Sequence, residues 1–249
     1  MSNLKLKQIR KQVAIVTGAT GEIGRCIAVR LSQAGFRVVV CGRDEDRAKR
    51  VCRKIEAIHD KTMVWLGNLT EHDCSKRLFD DVEQRFGEPV TILVNNAANC
   101  PKKTTSELDE KIFLETLHLN TMVPFFLIRE MASRLRPDQE AVAINIISTA
   151  ATRPLGRSHH YVASKAGLLG ITRSLALELA PKVRVNAVSP GFVATKNHRK
   201  NCIKQIHQTP LQRLIEPGEI ADAVLFLIRH RGITSETITV DGGWSINHE

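Results

Sequence analysis

Tyr161 and Lys165 lie four residues apart in the run Tyr161-Val162-Ala163-Ser164-Lys165, and Tyr161 is the only tyrosine in the chain. On a helix, positions i and i+4 share a face one turn apart. A phenol of ordinary pKa, ~10, is a poor acid–base group at neutral pH. An ammonium one turn away favours the phenolate and lowers that value, which makes proton transfer to a carbonyl oxygen feasible. Upstream, Ser148 follows the apolar stretch that ends at Ile147. Its hydroxyl is placed to hold a substrate oxygen beside the phenol.

A second group of residues suits an anion. The segment Thr17-Gly18-Ala19-Thr20-Gly21-Glu22-Ile23-Gly24 follows a short apolar run and leads into a helical pattern. A glycine-rich turn into a helix start presents free backbone N–H groups and a positive dipole end, which fit a pyrophosphate. Farther on comes Val39-Val40-Cys41-Gly42-Arg43-Asp44. An NAD site commonly has a carboxylate at the end of the second strand for the ribose 2′-hydroxyl, whereas an NADP site needs a cation for the 2′-phosphate. Gly42 stands where the carboxylate is expected and Arg43 follows it. The planar fork of arginine suits a phosphate, so the expected cofactor is NADP(H), with NAD(H) as the second option. The later cations Arg47, Lys49, Arg50, Arg53 and Lys54 read as a solvated helix face, and Asp44 and Asp46 weaken the local field.

These groups need a scaffold, and the hydropathy pattern supplies one. Short β-branched runs at Val13–Val16, Arg37–Cys41, Thr62–Leu66, Val90–Val94, Ala141–Ile147, Val183–Val188 and Thr237–Val240 alternate with helical stretches. The helical stretches are Glu22–Ala34, Asp44–Ile58, Glu71–Phe86, Lys111–Leu135, His160–Ala180 and Pro217–Arg229. Strands apolar on both faces, separated by amphipathic helices, predict a seven-stranded parallel sheet covered on both sides. The expected fold is α/β, one doubly wound Rossmann domain over residues 1–249, with ligands beyond the carboxyl ends of the strands.

Composition narrows the function classes. The 249 residues carry 36 Lys+Arg against 26 Asp+Glu, a net charge of +10. Aromatics are only 4% and do not interleave with the basic residues, so a nucleic-acid surface is not expected. No uninterrupted apolar stretch approaches the ~18 residues needed to span a bilayer, and residues 1–11 form a basic arm without a secretory pattern. The six cysteines form no C-x-x-C pair, and no histidine and cysteine cluster has metal-ligand spacing. Reduced thiols in a cytoplasmic protein are the simplest reading.

Taken in order, the motifs resemble the short-chain dehydrogenase/reductase family from about Gln12 to Gly243. The resemblance rests on Thr17-Gly18…Gly24, Asn95-Asn96-Ala97-Ala98, Asn120, Ser148, Tyr161…Lys165, Arg184-Val185-Asn186, Pro190-Gly191-Phe192-Val193-Ala194-Thr195 and Val240-Asp241-Gly242-Gly243. It implies an NAD(P)-dependent oxidoreductase acting on a carbonyl or secondary alcohol. Tyr161 would be the proton donor, and Lys165 would lower its pKa and bind the nicotinamide ribose. Ser148 would orient the carbonyl, and Asn120 would hold a water linking Lys165 to solvent. Cofactor contacts are implied at Gly18, Thr20, Gly21, Ile23, Gly24, Asn68, Leu69, Asn96, Ala97, Ala98, Pro190, Gly191, Val193 and Thr195. Substrate contacts are implied at Ser148, Arg153, Ser158 and Tyr161. The family resemblance also implies a homotetramer, with the helices Lys111–Leu135 and His160–Ala180 at one interface and Thr237–Ile246 at another.

The departures are local. Glu22 replaces a glycine usual in this subgroup, and its carboxylate is expected to turn outward, away from a pyrophosphate. Asn68 stands where an Asp often contacts the adenine, and Ala98 replaces a frequent glycine. Residues 196–209 would form a lid. Lys196, Arg199, Lys200 and Lys204 within it, with Arg153 and Arg157 nearby, suggest an anionic substrate such as a 3-oxoacyl thioester on coenzyme A or acyl carrier protein. Alternatives are a small-ketone, sugar or pterin reductase, or a dinucleotide-binding scaffold without turnover.

Overall fold

The computed structural model describes residues 12–56, 62–154, 156–196 and 203–247. The basic arm 1–11 and the lid residues 197–202 lie outside the described residues. In chain order the elements are β1 Val13–Val16, α1 Glu22–Gln33, β2 Arg37–Gly42, α2 Glu45–Glu56, β3 Thr62–Leu66, α3 Cys74–Phe86 and β4 Val90–Asn95. There follow α4 Glu110–Leu117, α5 Val123–Ser133, β5 Ala141–Ile146, α6 His159–Glu178, β6 Val183–Pro190, the short α7 Ile203–His207, α8 Pro217–Arg229 and β7 Thr237–Val240.

The strands form one seven-stranded sheet in the order β3-β2-β1-β4-β5-β6-β7, and every pairing is parallel. Period-two alternation sends successive side chains to opposite faces, and β1 shows the result. Ala14 and Val16 pack with Ile27 and Leu31 of α1, Val51 and Ile55 of α2 and Ile220 and Val224 of α8. Val13 and Ile15 pack with Leu78 and Phe79 of α3 and Leu127, Ile128 and Met131 of α5. A strand buried on both faces must be apolar throughout, which is why these runs lack polar alternation.

The strand order reverses between β1 and β4. In that register Val16 lies beside Val40 on one side and Val94 on the other. The glycine-rich turn, the end of β2 and the Asn95–Ala98 segment therefore open into one crevice. Thr17 fixes it: its hydroxyl donates to the Val94 carbonyl and accepts from the backbone N–H of Asn96 and of Ala97.

Two helix boundaries differ from the periodicity. The stretch expected over Glu71–Phe86 begins at Cys74, because Asp73 adopts a left-handed φ of 55° and Asn68 turns back to accept from Thr70. The long helix expected over Lys111–Leu135 is α4 and α5 joined by a π turn at His118–Met122. Glu110–Ser133 as a whole is long and apolar enough to cross a membrane by length and composition, a property the count of uninterrupted apolar residues did not register. Its α5 portion packs on the sheet through Leu127, Ile128 and Met131, as a core helix does.

Candidate active site

The crevice is a cleft of about 490 Å³. Its floor is the turn before α1, where Gly21 caps the helix without a side-chain hydrogen bond and the positive dipole end faces the cleft. Close packing dictates the glycines here. A Cβ on Gly24 would lie 2.4 Å from the Gly18 carbonyl oxygen and 2.6 Å from Asn96 Nδ2. A Cβ on Gly42 would lie 2.5 Å from the Thr20 methyl, so a side chain there would require Thr20 to move.

Of the residues expected at a cofactor, Gly18, Thr20, Gly21, Ile23, Gly24, Arg43, Asn68, Leu69, Asn96, Ala97, Ala98 and Thr195 line this cleft. Several have prior commitments. Asn96 donates from Nδ2 to the carbonyls of Thr17 and Gly18 and so braces the turn. Asn68 directs its side-chain oxygen to Thr70. Pro190, Gly191 and Val193 are not in the lining: Pro190 ends β6 beside Val240, and Val193 bridges to Ile215.

Two charged lining residues went unanticipated as contacts. Arg47, read from sequence as part of a solvated face, stands in the cleft with Arg43, one turn into α2 and paired with Asp44 at 3.1 Å. Glu22 lines the cleft too. Its carboxylate accepts from the Lys196 backbone N–H at 2.9 and 3.2 Å. The expected outward orientation is therefore corrected, because Glu22 lines the cleft and the Lys196 backbone N–H gives its carboxylate a partner.

The proton-handling groups are brought together by the end of β5 and the start of α6, and Tyr161 and Lys165, also expected at the cofactor, are not in the cleft lining. Ser148 accepts from the Ala150 N–H at 3.1 Å and lies close enough to the Tyr161 hydroxyl to favour its ionised form. Burial pushes the Tyr161 phenol up to about 12, with the nearby Ser148 hydroxyl opposing part of the rise. Lys165 is buried, and burial brings its ammonium down to about 8. Its Nζ donates to the Ile146 carbonyl at 2.7 Å and lies 5.8 Å from the Tyr161 ring centroid. The lowering of the tyrosine by the lysine is thus not what this geometry produces: desolvation is the largest influence on both groups.

Asn120 is fully buried in the π turn. Its side chain accepts from the Asn99 N–H and donates to the Asn99 carbonyl and the Ser164 hydroxyl. Ser164 in turn donates to the Tyr161 carbonyl. Asn120 therefore ties the β4 loop to the helix carrying Tyr161.

The residues expected at the substrate separate. Ser158 caps α6 in a left-handed conformation, φ 56°, and lies near the Cys100 thiol. Cys100, not anticipated from sequence, is close enough to Tyr161 and Lys165 to interact electrostatically with both. Its only sequence signal is its place just beyond Asn95-Asn96-Ala97-Ala98. Arg153 is a correction: its guanidinium donates to the Trp244 carbonyl and stacks 4.6 Å over the Trp244 ring, so it anchors the C-terminal segment rather than presenting a free cation.

A family model described as Enoyl-(Acyl carrier protein) reductase matches residues 18–245. The chain is 32% identical over 243 residues to an acetoacetyl-CoA reductase of Acinetobacter sp. (strain RA3849), covering 94% of this chain and 97% of that one. It is 34% identical over 248 residues to the 3-oxoacyl-[acyl-carrier-protein] reductase FabG of Aquifex aeolicus (strain VF5), covering 95% and 98%. Among solved structures, FolM alternative dihydrofolate reductase 1 from Brucella suis, in complex with NADP, superposes with a TM-score of 0.90 at 27% identity, covering 97% and 98%.

Proposed function

Since the chain belongs to the short-chain dehydrogenase/reductase family of NAD(P)-dependent oxidoreductases, we propose that it is an NADP(H)-preferring carbonyl reductase. Its proposed substrate is a 3-oxoacyl thioester carried on coenzyme A or acyl carrier protein, and its proposed acid is Tyr161. The observation that carries the reading is Ser148 close to Tyr161, with buried Lys165 one turn on, in a chain whose glycine turn opens on a cleft at an uncapped helix start.

The residues present fit a dinucleotide. The packed turn at Gly24 and the dipole end of α1 suit the pyrophosphate, while Arg43 and Arg47 suit a 2′-phosphate. When bound, the nicotinamide supplies the hydride. The protein's own part is to hold the ketone and provide the proton. The Ser148 hydroxyl holds the carbonyl oxygen next to the Tyr161 O–H. A phenol pushed up by burial keeps its proton until negative charge develops on that oxygen, then donates it. The resulting phenolate is stabilised by the Ser148 hydroxyl. Asn120 has its side chain fully engaged, so a relay water at this position would bind its backbone carbonyl in the π turn.

The thioester assignment draws on the two reductase relatives and on the basic lid sequence. The likeness to FolM favours a second reading, a pterin reductase of the same family. A panel following NADPH oxidation at 340 nm with acetoacetyl-CoA, simple ketones and dihydropterins tests both. Turnover of acetoacetyl-CoA at least tenfold above the others supports the thioester reading, and preference for dihydropterin overturns it. The proposed assembly is a cytoplasmic homotetramer. Its support is the exposed apolar side chains on the outer helices, Leu114 of α4 and Leu177 of α6, with Met122 in the π turn.

A further inference from the structure

The cleft built for an anion contains a carboxylate. Glu22 is the first residue of α1, directly after the uncapped Gly21, and lines the same cavity as the glycine turn and Arg43. Its carboxylate accepts from the Lys196 N–H, 174 residues away in sequence. Among the described residues no cation pairs with it. A backbone N–H satisfies a carboxylate's hydrogen bonding but does not neutralise its charge.

From this we infer that Glu22 determines cofactor affinity and does so downward, by fixing a negative charge beside the seat of the dinucleotide pyrophosphate. The inference rests on the dinucleotide reading of the cleft. Its physical content is position-specific repulsion. The charge acts on the pyrophosphate at the dipole end of α1, not on the 2′-phosphate end near Arg43 and Arg47. A unit charge facing the pyrophosphate across a partly solvated cleft changes the dissociation constant by about tenfold. Glu22→Gln isolates this contribution, because the amide oxygen can still accept from Lys196 while the charge is gone.

The test is calorimetric titration of wild type, E22Q and E22A with NADPH, NADH and adenosine 2′-monophosphate, which has no pyrophosphate. NADPH and NADH should bind about tenfold tighter to both variants, with adenosine 2′-monophosphate changed less than twofold. Unchanged NADPH affinity in E22Q overturns the inference and leaves the cofactor reading standing. Tightening in E22A alone also overturns it, since the effect would then belong to the Lys196 contact. Equal tightening of adenosine 2′-monophosphate overturns the placement at the pyrophosphate. Failure of wild type and variants to bind either dinucleotide removes the cofactor reading itself, and the inference with it.

Discussion

The Lys165 ammonium reaches the Ile146 carbonyl at 2.7 Å while lying 5.8 Å from the centre of the Tyr161 ring. The pair is therefore held by the end of β5 rather than by direct contact between its members. Lys165 is buried and Tyr161 half-buried, and their protonation equilibria move in opposite directions. Lys165 falls to about 8 and Tyr161 rises to about 12.

That opposition predicts a peaked pH profile of stability. Between about 8 and the ordinary lysine value, the unfolded chain holds a proton on Lys165 that the folded chain has released, so stability rises with pH. Between the ordinary tyrosine value and about 12, the folded chain retains a proton on Tyr161 that the unfolded chain has lost, so stability falls. Urea midpoints should climb from pH 8 to about pH 10 and then decline. K165M should remove the climb, and a wild-type midpoint flat across pH 8 to 10 would contradict the buried, uncompensated ammonium.

Tyr161→Phe removes the proton donor and leaves the cleft intact. Its kcat should drop about 10³-fold, with the dissociation constant for NADPH within threefold of wild type. A variant retaining a tenth of wild-type kcat would mean that another group supplies the proton.

The sheet was readable because burial on both faces forces continuous apolar runs. Val13–Val16, Thr62–Leu66 and Thr237–Val240 match their strands residue for residue. The site was readable where spacing alone places a group, as with Tyr161 and Lys165 on one helix face and Ser148 after β5. It was not readable where a side chain chooses among distant partners. Glu22 finds the Lys196 N–H and Arg153 finds Trp244, and neither choice has a local signature. The π turn at Asn120 is equally silent, because it arises from the tertiary bonds to Asn99 and Ser164.

Arg43 and Arg47 stand together in the cleft beyond Gly42, and Asp44 already engages Arg47. Arg43→Ala should therefore take the larger share of any 2′-phosphate recognition. The NADPH to NADH ratio of kcat/KM should fall at least tenfold in R43A and about threefold in R47A. An unchanged ratio in R43A would remove the NADP preference.

Arg184 of β6 makes a stability prediction far from the chemistry. Its guanidinium donates to the carbonyls of Leu227 at 3.1 Å, Ile228 at 3.0 Å and Ile233 at 2.6 Å, which closes the C-terminal end of α8 against the sheet. Two of these carbonyls belong to the last turn of that helix, where a cation is also favoured by the dipole. Arg184→Ala strands the Leu227 and Ile228 carbonyls, while Ile233 keeps the Asn186 amide, and should destabilise the fold by about 3 kcal/mol. Arg184→Lys keeps the charge but cannot fork to three oxygens, so about half of that loss should remain. Urea unfolding of both variants at pH 7 measures the difference, and equal stability of R184K and wild type would show that charge alone, without the fork, holds this helix end.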